Sequence, residues 1–193
     1  MKTYAGMGRK LPNIILFQAA WFAAVLGAAS GNGWYGPLAV AMVLSVHFVL
    51  IEDRLSELSL LFVTGILGFC FDTALSAAGI ITPRGNILPH PFSQPRMISL
   101  WLNFAATLNV SLKWLQGRYL SAAIFGAVGG TFAYYSGARL GATMALPDVK
   151  GMIILAVAWG IVTPILAWMA RQFQKRGFPE KKFGKSASHA EGR

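Results

Sequence analysis

The chain has 193 residues and a formal net charge of +10, with 55% of its residues hydrophobic and only 12% charged. A soluble domain carries roughly twice that share of charged residues, so the composition argues against one. The charge does not indicate nucleic-acid binding either, because the Lys and Arg residues lie at the ends of apolar runs and in the tail rather than on one water-facing surface. The composition indicates a membrane protein.

Six apolar runs follow one another along the chain, and nearly every charged residue lies between or beyond them. Their approximate bounds are 11–29, 36–51, 58–79, 97–115, 121–141 and 152–170. Four of them have about 19 to 22 residues, close to the ~20 that a helix needs to cross a ~30 Å hydrocarbon core. None shows the alternation of a barrel strand. We therefore predict an all-α, polytopic transmembrane bundle of six helices over residues 11–171.

The first run follows a basic segment, residues 1–10, and has two interpretations. A basic segment, an apolar run and then the small residues 28–31 resemble a cleaved signal peptide. The run is about 19 residues long, however, which exceeds the usual ~7–15 residues of a signal-peptide core. We predict a retained first helix after a cytoplasmic N-terminal segment, with a cleaved signal and five remaining spans as the alternative.

The third run carries Asp72 about two turns before its outer end, where an ionised carboxylate against lipid is costly. We therefore predict that Asp72 faces the bundle interior. Opposite chain directions bring Asn103, Tyr134, Tyr135 and Arg139 to the same half of the membrane. We predict an ion pair between Asp72 and Arg139, with Asn103 and a tyrosine bonding the remaining oxygens. A structural clamp is the preferred interpretation, and a substrate or proton site is the alternative.

A second group of polar residues lies toward the opposite ends of the runs. It comprises Gln18, His47, Glu52, Asn109 and Lys113. His47 and Glu52 are separated by roughly 140° on an ideal helix, so we do not expect them to pair. In the fourth run, Asn103, Thr107 and Ser111 recur at every fourth position, which predicts hydrogen bonds across helices.

Small residues recur along the fifth run. They include Gly126, Gly129, Gly130, Gly137 and Gly141. Small side chains at this spacing let a second helix approach closely. We predict that Gly129, Ala133 and Gly137 pack against another helix of the same chain, and a homodimer seam through this helix is the alternative.

The remaining features are weaker. The outer connection, residues 80–96, contains four prolines that exclude a regular helix. We predict an irregular connector there, with a re-entrant loop as the alternative. The three histidines are scattered, so the sequence predicts no metal site and no cofactor, and Cys70 is expected to be a small buried hydrophobe.

The Lys and Arg residues also predict the orientation of the chain. With both termini in the cytoplasm, the inner segments hold thirteen of these residues and the outer segments four. This asymmetry favours both termini inside. Residues 172–193 mix basic residues with Gly, Ser and Pro, which predicts a disordered cytoplasmic tail.

Four segments together resemble a bacterial inner-membrane family described only as a domain of unknown function, DUF2878. The segments are Phe17–Phe22, Phe71–Thr73, Thr107–Leu115 and Gly129–Gly137. The resemblance implies a multi-pass inner-membrane protein and brings no established reaction or catalytic residue. It also implies an association with lipid-modifying enzymes, which makes such an enzyme a candidate partner beside the membrane lipids themselves.

Two classes of function agree with these observations. The first is a non-enzymatic accessory or small transporter-like component that serves envelope or lipid metabolism. The second is a membrane-embedded, lipid-modifying enzyme that uses Asp72 and a nearby tyrosine. We favour the first class, because no His, Cys or Glu cluster lies on the cytoplasmic side, where soluble cofactors would arrive.

Overall fold

Six α-helices form the protein in the computed structural model, which describes the backbone of residues 2–176 and the side chains of residues 8–175. The helices are α1 (Lys2–Ala29), α2 (Tyr35–Leu50), α3 (Arg54–Ala77), α4 (Pro95–Leu108), α5 (Tyr119–Arg139) and α6 (Val149–Arg176), and a short 3-10 helix (Lys113–Leu115) precedes α5. The described residues contain no β-strand beyond an isolated bridge between Pro83 and Thr143. The predicted all-α, six-helix architecture is confirmed.

Three of these helices are long and apolar enough to cross a membrane. They are Gly8–Ala29, Arg54–Ala77 and Val149–Lys175, while the apolar helix Tyr35–Leu50 is shorter. Large apolar side chains, such as those of Phe62, Val128 and Val157, are exposed on the outer faces of the helices. Hydrocarbon is the environment in which such faces are stable. The protein is therefore a polytopic helical membrane protein.

The helices alternate in direction around α4, which packs against α1, α2, α3 and α6. The loop end of the bundle is the end at which α1, α3 and α5 finish. There the backbone N–H of Arg84 donates to Ala142 O at 2.9 Å and that of Met144 donates to Thr82 O at 2.8 Å. The terminal end is the end at which α1 begins and α6 finishes. There Ser56 Oγ donates to Phe173 O at 2.9 Å.

The fourth helix is shorter than the sequence pattern predicted. It ends at Leu108 rather than near residue 115, and Asn109 follows as its C-cap. Gln116 Nε2 donates to Leu108 O at 3.0 Å, which bonds a carbonyl that a helix end leaves free. Ser111 lies beyond the end of the helix, yet its hydroxyl donates to Asn13 Oδ1 of α1 at 2.6 Å, so the predicted hydrogen bond to another helix is present there.

The connection between α3 and α4 is irregular, as the prolines predicted. Its backbone wraps around the buried side chain of Gln94, whose Oε1 accepts from the N–H groups of Ile87 and Leu88 at 2.8 and 3.0 Å. The same amide donates through Nε2 to the carbonyls of Leu88 and Phe92, both at 3.0 Å. One buried amide thus organises the loop without regular secondary structure.

The predictions for the N-terminal segment, the C-terminal tail and Cys70 have different outcomes in the structure. Helix α1 already begins at Lys2, so most of the predicted segment 1–10 is helical. Helix α6 continues to Arg176, and the rest of the predicted tail, residues 177–193, lies outside the described residues. Cys70 is exposed on α3 rather than buried, because it lies on a face of the helix that no other helix covers.

Candidate functional site

A cavity of about 810 Å³ lies between α1 and α5, with α4 and α6 as its inner wall. Helix α1 packs mainly on α2 and α4, and α5 packs mainly on α6, so no helix fills the space between them. The lining is mostly apolar. Its large side chains include Phe17, Trp21, Phe104, Phe125 and Phe132. An apolar cavity with a few polar groups is the usual form of a small-molecule site.

The cavity is narrow at the loop end and wide toward the middle of the bundle. A Cβ on Gly141 would lie 3.3 Å from Ala29 Cβ, and one on Gly137 would lie 3.7 Å from Val25 Cγ2. A Cβ on Gly129, three turns of helix nearer the terminal end, would meet nothing within 4 Å. The gap between α1 and α5 therefore widens away from the loop end, on the side of the bundle.

Asp72 forms the polar centre of the cavity wall. Its side chain is buried, with 1% of its surface exposed. Trp101 Nε1 donates to Asp72 Oδ2 at 2.8 Å, and the Tyr134 hydroxyl donates to Asp72 Oδ1. The Trp101 ring stacks on Trp159, with 4.8 Å between the ring centroids. Asp72 thus faces the interior and bonds a tyrosine.

The predicted ion pair between Asp72 and Arg139 is wrong. Among the described residues the one salt bridge joins His47 and Glu57, and Arg139 is exposed on α5. Positions 134 and 139 are separated by roughly 140° on a helix, so with Tyr134 on Asp72, Arg139 lines the cavity without reaching that carboxylate. Asn103 does not bond Asp72 either, because its Nδ2 donates to Phe17 O at 3.0 Å. Tyr135 also lines the cavity, without a hydrogen bond to Asp72.

Arg96 is the cation that the sequence interpretation missed. It lies at the start of α4, lines the same cavity as Asp72, and is only 5% exposed. One guanidinium nitrogen, Nη2, donates to Arg84 O at 2.8 Å and to Ala142 O at 3.1 Å. Arg96 therefore joins the loop end to the cavity. The sequence interpretation treated it as an outer-loop charge, and its position directly after Pro95, a residue favoured at the first turn of a helix, was the available signal.

The second predicted polar group separates into two sets in the structure. His47 and Asn109 are buried together, and both bond Glu57: His47 Nε2 lies 2.8 Å from Glu57 Oε1, and Asn109 Nδ2 donates to Glu57 Oε2 at 2.7 Å. Gln116 Nε2 completes the network by donating to Asn109 Oδ1 at 2.9 Å.

The other members of the predicted group, Gln18, Glu52 and Lys113, are exposed, and Gln18 lines the cavity. The expectation that His47 and Glu52 do not pair agrees with this arrangement.

The glycines of α5 serve two different surfaces. A Cβ on Gly126 would overlap Thr163, and one on Gly130 would overlap the ring of Trp159, so these two glycines allow α5 to approach α6 closely. Gly129 faces open space in the cavity, which contradicts its predicted packing within the chain. Gly137 and Gly141 face α1 at the narrow end. The homodimer seam through α5 stays a prediction.

The fold and the cavity define a class: a helical membrane protein with a laterally open, mostly apolar cavity that carries a buried carboxylate and a buried guanidinium. The described residues contain no group of three His, Cys, Asp or Glu side chains that could hold a metal ion.

The chain belongs to the DUF2878 family, described as a protein of unknown function, whose model matches residues 10–165. The matched region includes both borders of the cavity, Asp72 and Arg96. No curated protein and no solved structure matches the chain significantly.

Proposed function

We propose that this protein holds a membrane lipid in the cavity between α1 and α5, and that it acts as a non-enzymatic accessory or small transporter-like component of envelope or lipid metabolism. The observation that carries the proposal is the cavity itself, which is apolar along most of its length, polar at Asp72, Arg96 and Arg139, and bordered on one side by the gap between α1 and α5. With the apolar outer faces of the helices in hydrocarbon, a lipid would reach that gap directly from the bilayer.

The length of the cavity supports a chain-like ligand. On α5 its lining extends from Phe125 to Leu140, which corresponds to roughly 22 Å at 1.5 Å per residue. One half of a ~30 Å hydrocarbon core measures about 15 Å. The cavity can therefore accommodate an extended acyl or prenyl chain.

A substitution that fills the cavity tests the proposal. Gly129→Phe places a ring in the cavity without a backbone clash, because a Cβ there meets nothing within 4 Å. Val128→Phe is the matched control: it lies on the same helix, is 67% exposed and does not line the cavity. The measurement is the amount of lipid that copurifies with each variant in mild detergent, by native mass spectrometry. We expect wild type and Val128→Phe to retain a lipid and Gly129→Phe to lose it. Equal retention by all three would refute the proposal.

We further propose that the protein lies in the bacterial inner membrane with both termini in the cytoplasm. The asymmetry of thirteen against four basic residues and the even number of helices support this orientation. Reporter fusions after Gly31, Glu52, Asn86, Gln116 and Asp148 should alternate between outside and inside, beginning outside. A C-terminal reporter found outside would reverse the orientation.

The hydrogen bond between Tyr134 and Asp72 favours a second candidate function, a membrane-embedded enzyme that modifies the bound lipid. A carboxylate that bonds a phenol inside a ligand cavity is an arrangement suited to proton transfer. Under this candidate the retained lipid would change in mass on incubation with wild-type protein and not with Tyr134→Phe. An unchanged lipid in both would leave the non-enzymatic function.

A further inference from the structure

Three charged residues line the cavity between α1 and α5, and two of them are cations. They are Asp72, Arg96 and Arg139. Two arginines against one aspartate give the lining a net charge of +1 with Asp72 ionised, and +2 with Asp72 protonated. The cavity is positive in both states, so an anionic ligand compensates its charge and an uncharged ligand does not.

Both arginines lie at the loop end of the cavity. Arg139 is the last residue of α5, and Arg96 Nη2 donates to the carbonyl of Ala142, three residues further along the chain, at 3.1 Å. Arg139 forms no salt bridge with any described residue, and the Arg96 guanidinium donates to backbone carbonyls. Neither guanidinium is therefore neutralised by contact with a carboxylate.

The two arginines differ in what they can contribute to binding. Arg96 is 5% exposed, so it adds charge to the loop end rather than a contact with a ligand. Arg139 is exposed, and a guanidinium bonds phosphate through two parallel hydrogen bonds. At the end of a membrane helix, an Arg side chain reaches the level of the lipid headgroups. Arg139 is therefore the residue placed to bond an anionic headgroup.

Arg139 also shares one face of α5 with residues that border the gap. The lining residues on this face include Phe125, Gly129, Phe132, Ser136 and Arg139. Steps of three and four residues keep them within about 80° of one another on an ideal helix. Toward the loop end the face changes from apolar to polar, with roughly 10 Å between Phe132 and Arg139 along the helix axis. This order matches a lipid, with hydrocarbon beside the two phenylalanines and an anion beside the arginine.

We infer that the ligand is an anionic lipid whose phosphate bonds the Arg139 guanidinium at the loop end, beside the buried charge of Arg96, with its hydrocarbon along the gap between α1 and α5. This inference rests on the proposed function, because it names the class of lipid that the same cavity takes. Two sources of this chemistry are a glycerophospholipid, with two acyl chains, and a prenyl phosphate, with one chain.

The experiment compares each phosphate with the same lipid without the phosphate. Purified full-length protein in detergent is mixed with dioleoyl phosphatidic acid or dioleoylglycerol, and with a polyprenyl phosphate or the corresponding polyprenol. The bound fraction is measured by native mass spectrometry over a concentration series. We expect at least one phosphate to bind about tenfold more tightly than its uncharged counterpart, and the tighter of the two phosphates identifies the source.

Substitutions test where the phosphate is bonded. Arg139→Gln should weaken binding of the preferred phosphate by about five- to tenfold and leave binding of its uncharged counterpart unchanged. Lys150→Gln is the matched control, because Lys150 is an exposed cation at the same end of the bundle and does not line the cavity. Gly129→Phe, which fills the cavity, should abolish binding of the phosphate.

The outcomes separate the inference from the proposed function. Phosphates that bind no more tightly than their uncharged counterparts, or a loss of binding in Lys150→Gln as large as in Arg139→Gln, overturn the inference while a lipid still occupies the cavity. Phosphate binding that Gly129→Phe leaves unchanged also overturns it, because that lipid lies outside the cavity. If none of the four lipids binds, and Gly129→Phe retains as much copurified lipid as wild type, the proposed function fails as well.

Discussion

The two buried polar clusters of this bundle differ in how completely their hydrogen bonds are made. At the terminal end, Glu57 bonds His47 and Asn109, and Gln116 bonds Asn109, in a network whose carboxylate is 1% exposed and does not line the large cavity. Near the loop end, Asp72 is also fully bonded, but it lies in the wall of a large cavity.

That difference separates a structural role from a binding role. A satisfied and enclosed network fixes the positions of α2, α3 and α4 and leaves no group free for a ligand. The second cluster, by contrast, borders space that a ligand could occupy. Burial of a charge alone, which is all that depth in a membrane helix reveals, therefore does not identify a functional site.

The largest effect is expected at the closed cluster. Glu57→Ala would leave His47 and Asn109 buried without their shared acceptor, at a cost of about 2–3 kcal/mol in stability. Thermal unfolding in detergent measures the loss, with exposed Glu52→Ala as the control. Protein that remains folded should still retain lipid, because Glu57 does not line the cavity. Loss of lipid at unchanged stability would assign a binding role to the closed cluster.

A smaller effect is expected where α5 meets α6. Gly130→Ala would push a methyl group into the Trp159 ring, and such overpacking costs about 1–3 kcal/mol. Gly129→Ala, one residue away, adds its methyl group in open space and gains up to about 1 kcal/mol of helix propensity. Unfolding temperatures of the two variants should therefore move in opposite directions. If the two unfolding temperatures move in the same direction, either both glycines pack against another helix or neither does.

A double-mutant cycle sharpens the assignment of Asp72. Asp72→Asn combined with Tyr134→Phe should show a coupling energy of about 1 kcal/mol, because the two side chains share a hydrogen bond. The cycle of Asp72→Asn with Arg139→Gln should show almost none. Unfolding in detergent provides both values. The reverse ranking would restore the ion pair that the sequence suggested.

The smallest effect is expected outside the membrane, at the N-cap of α3. Asp53 Oδ1 accepts from Ser56 N at 3.1 Å, so Asp53→Ala should cost about 0.5–1 kcal/mol. Hydrogen bonds from the Ser56 side chain and backbone hold the pKa of the Asp53 carboxyl below its ordinary value. The cap is therefore fully present above the ordinary carboxyl pKa and is lost as the pH falls through the lowered one. The difference between wild type and variant should shrink in acid; a constant difference would exclude the charged cap.

The sequence predicts where the helices lie along the chain well, but it predicts poorly which side chains of different helices contact one another. Apolar runs determine depth, and depth was sufficient to place Asp72 in the interior and beside a tyrosine. Depth does not determine which face of α5 meets Asp72 on α3. For that reason the sequence predicts Arg139 as the partner of Asp72 and overlooks Arg96 as a cavity residue. The lateral order of helices depends on packing, which the pattern of hydrophobic residues does not encode.

Glu57 shows a signal that was present and overlooked. It lies just before the third apolar run, residues 58–79, where an exposed charge requires no partner. Asp53 is a favourable N-cap residue, and a helix that begins at Arg54 places Glu57 inside its first turn, facing the bundle. The end of α4 at Leu108 had no comparable signal, because the capping amide of Gln116 lies eight residues further along the chain.

Under the proposed function, the lateral gap of the cavity would also determine which part of a lipid the protein recognises. The polar part of such a ligand would lie among buried side chains such as those of Asp72 and Arg96, so its size and its atoms would be tested closely. The hydrocarbon part lies along a gap bordered by exposed side chains such as Ile14 and Phe132, and any further methylene groups extend into the bilayer at no cost. Under the proposed function, a protein built in this way would discriminate among headgroups and be indifferent to the length and unsaturation of the acyl chain.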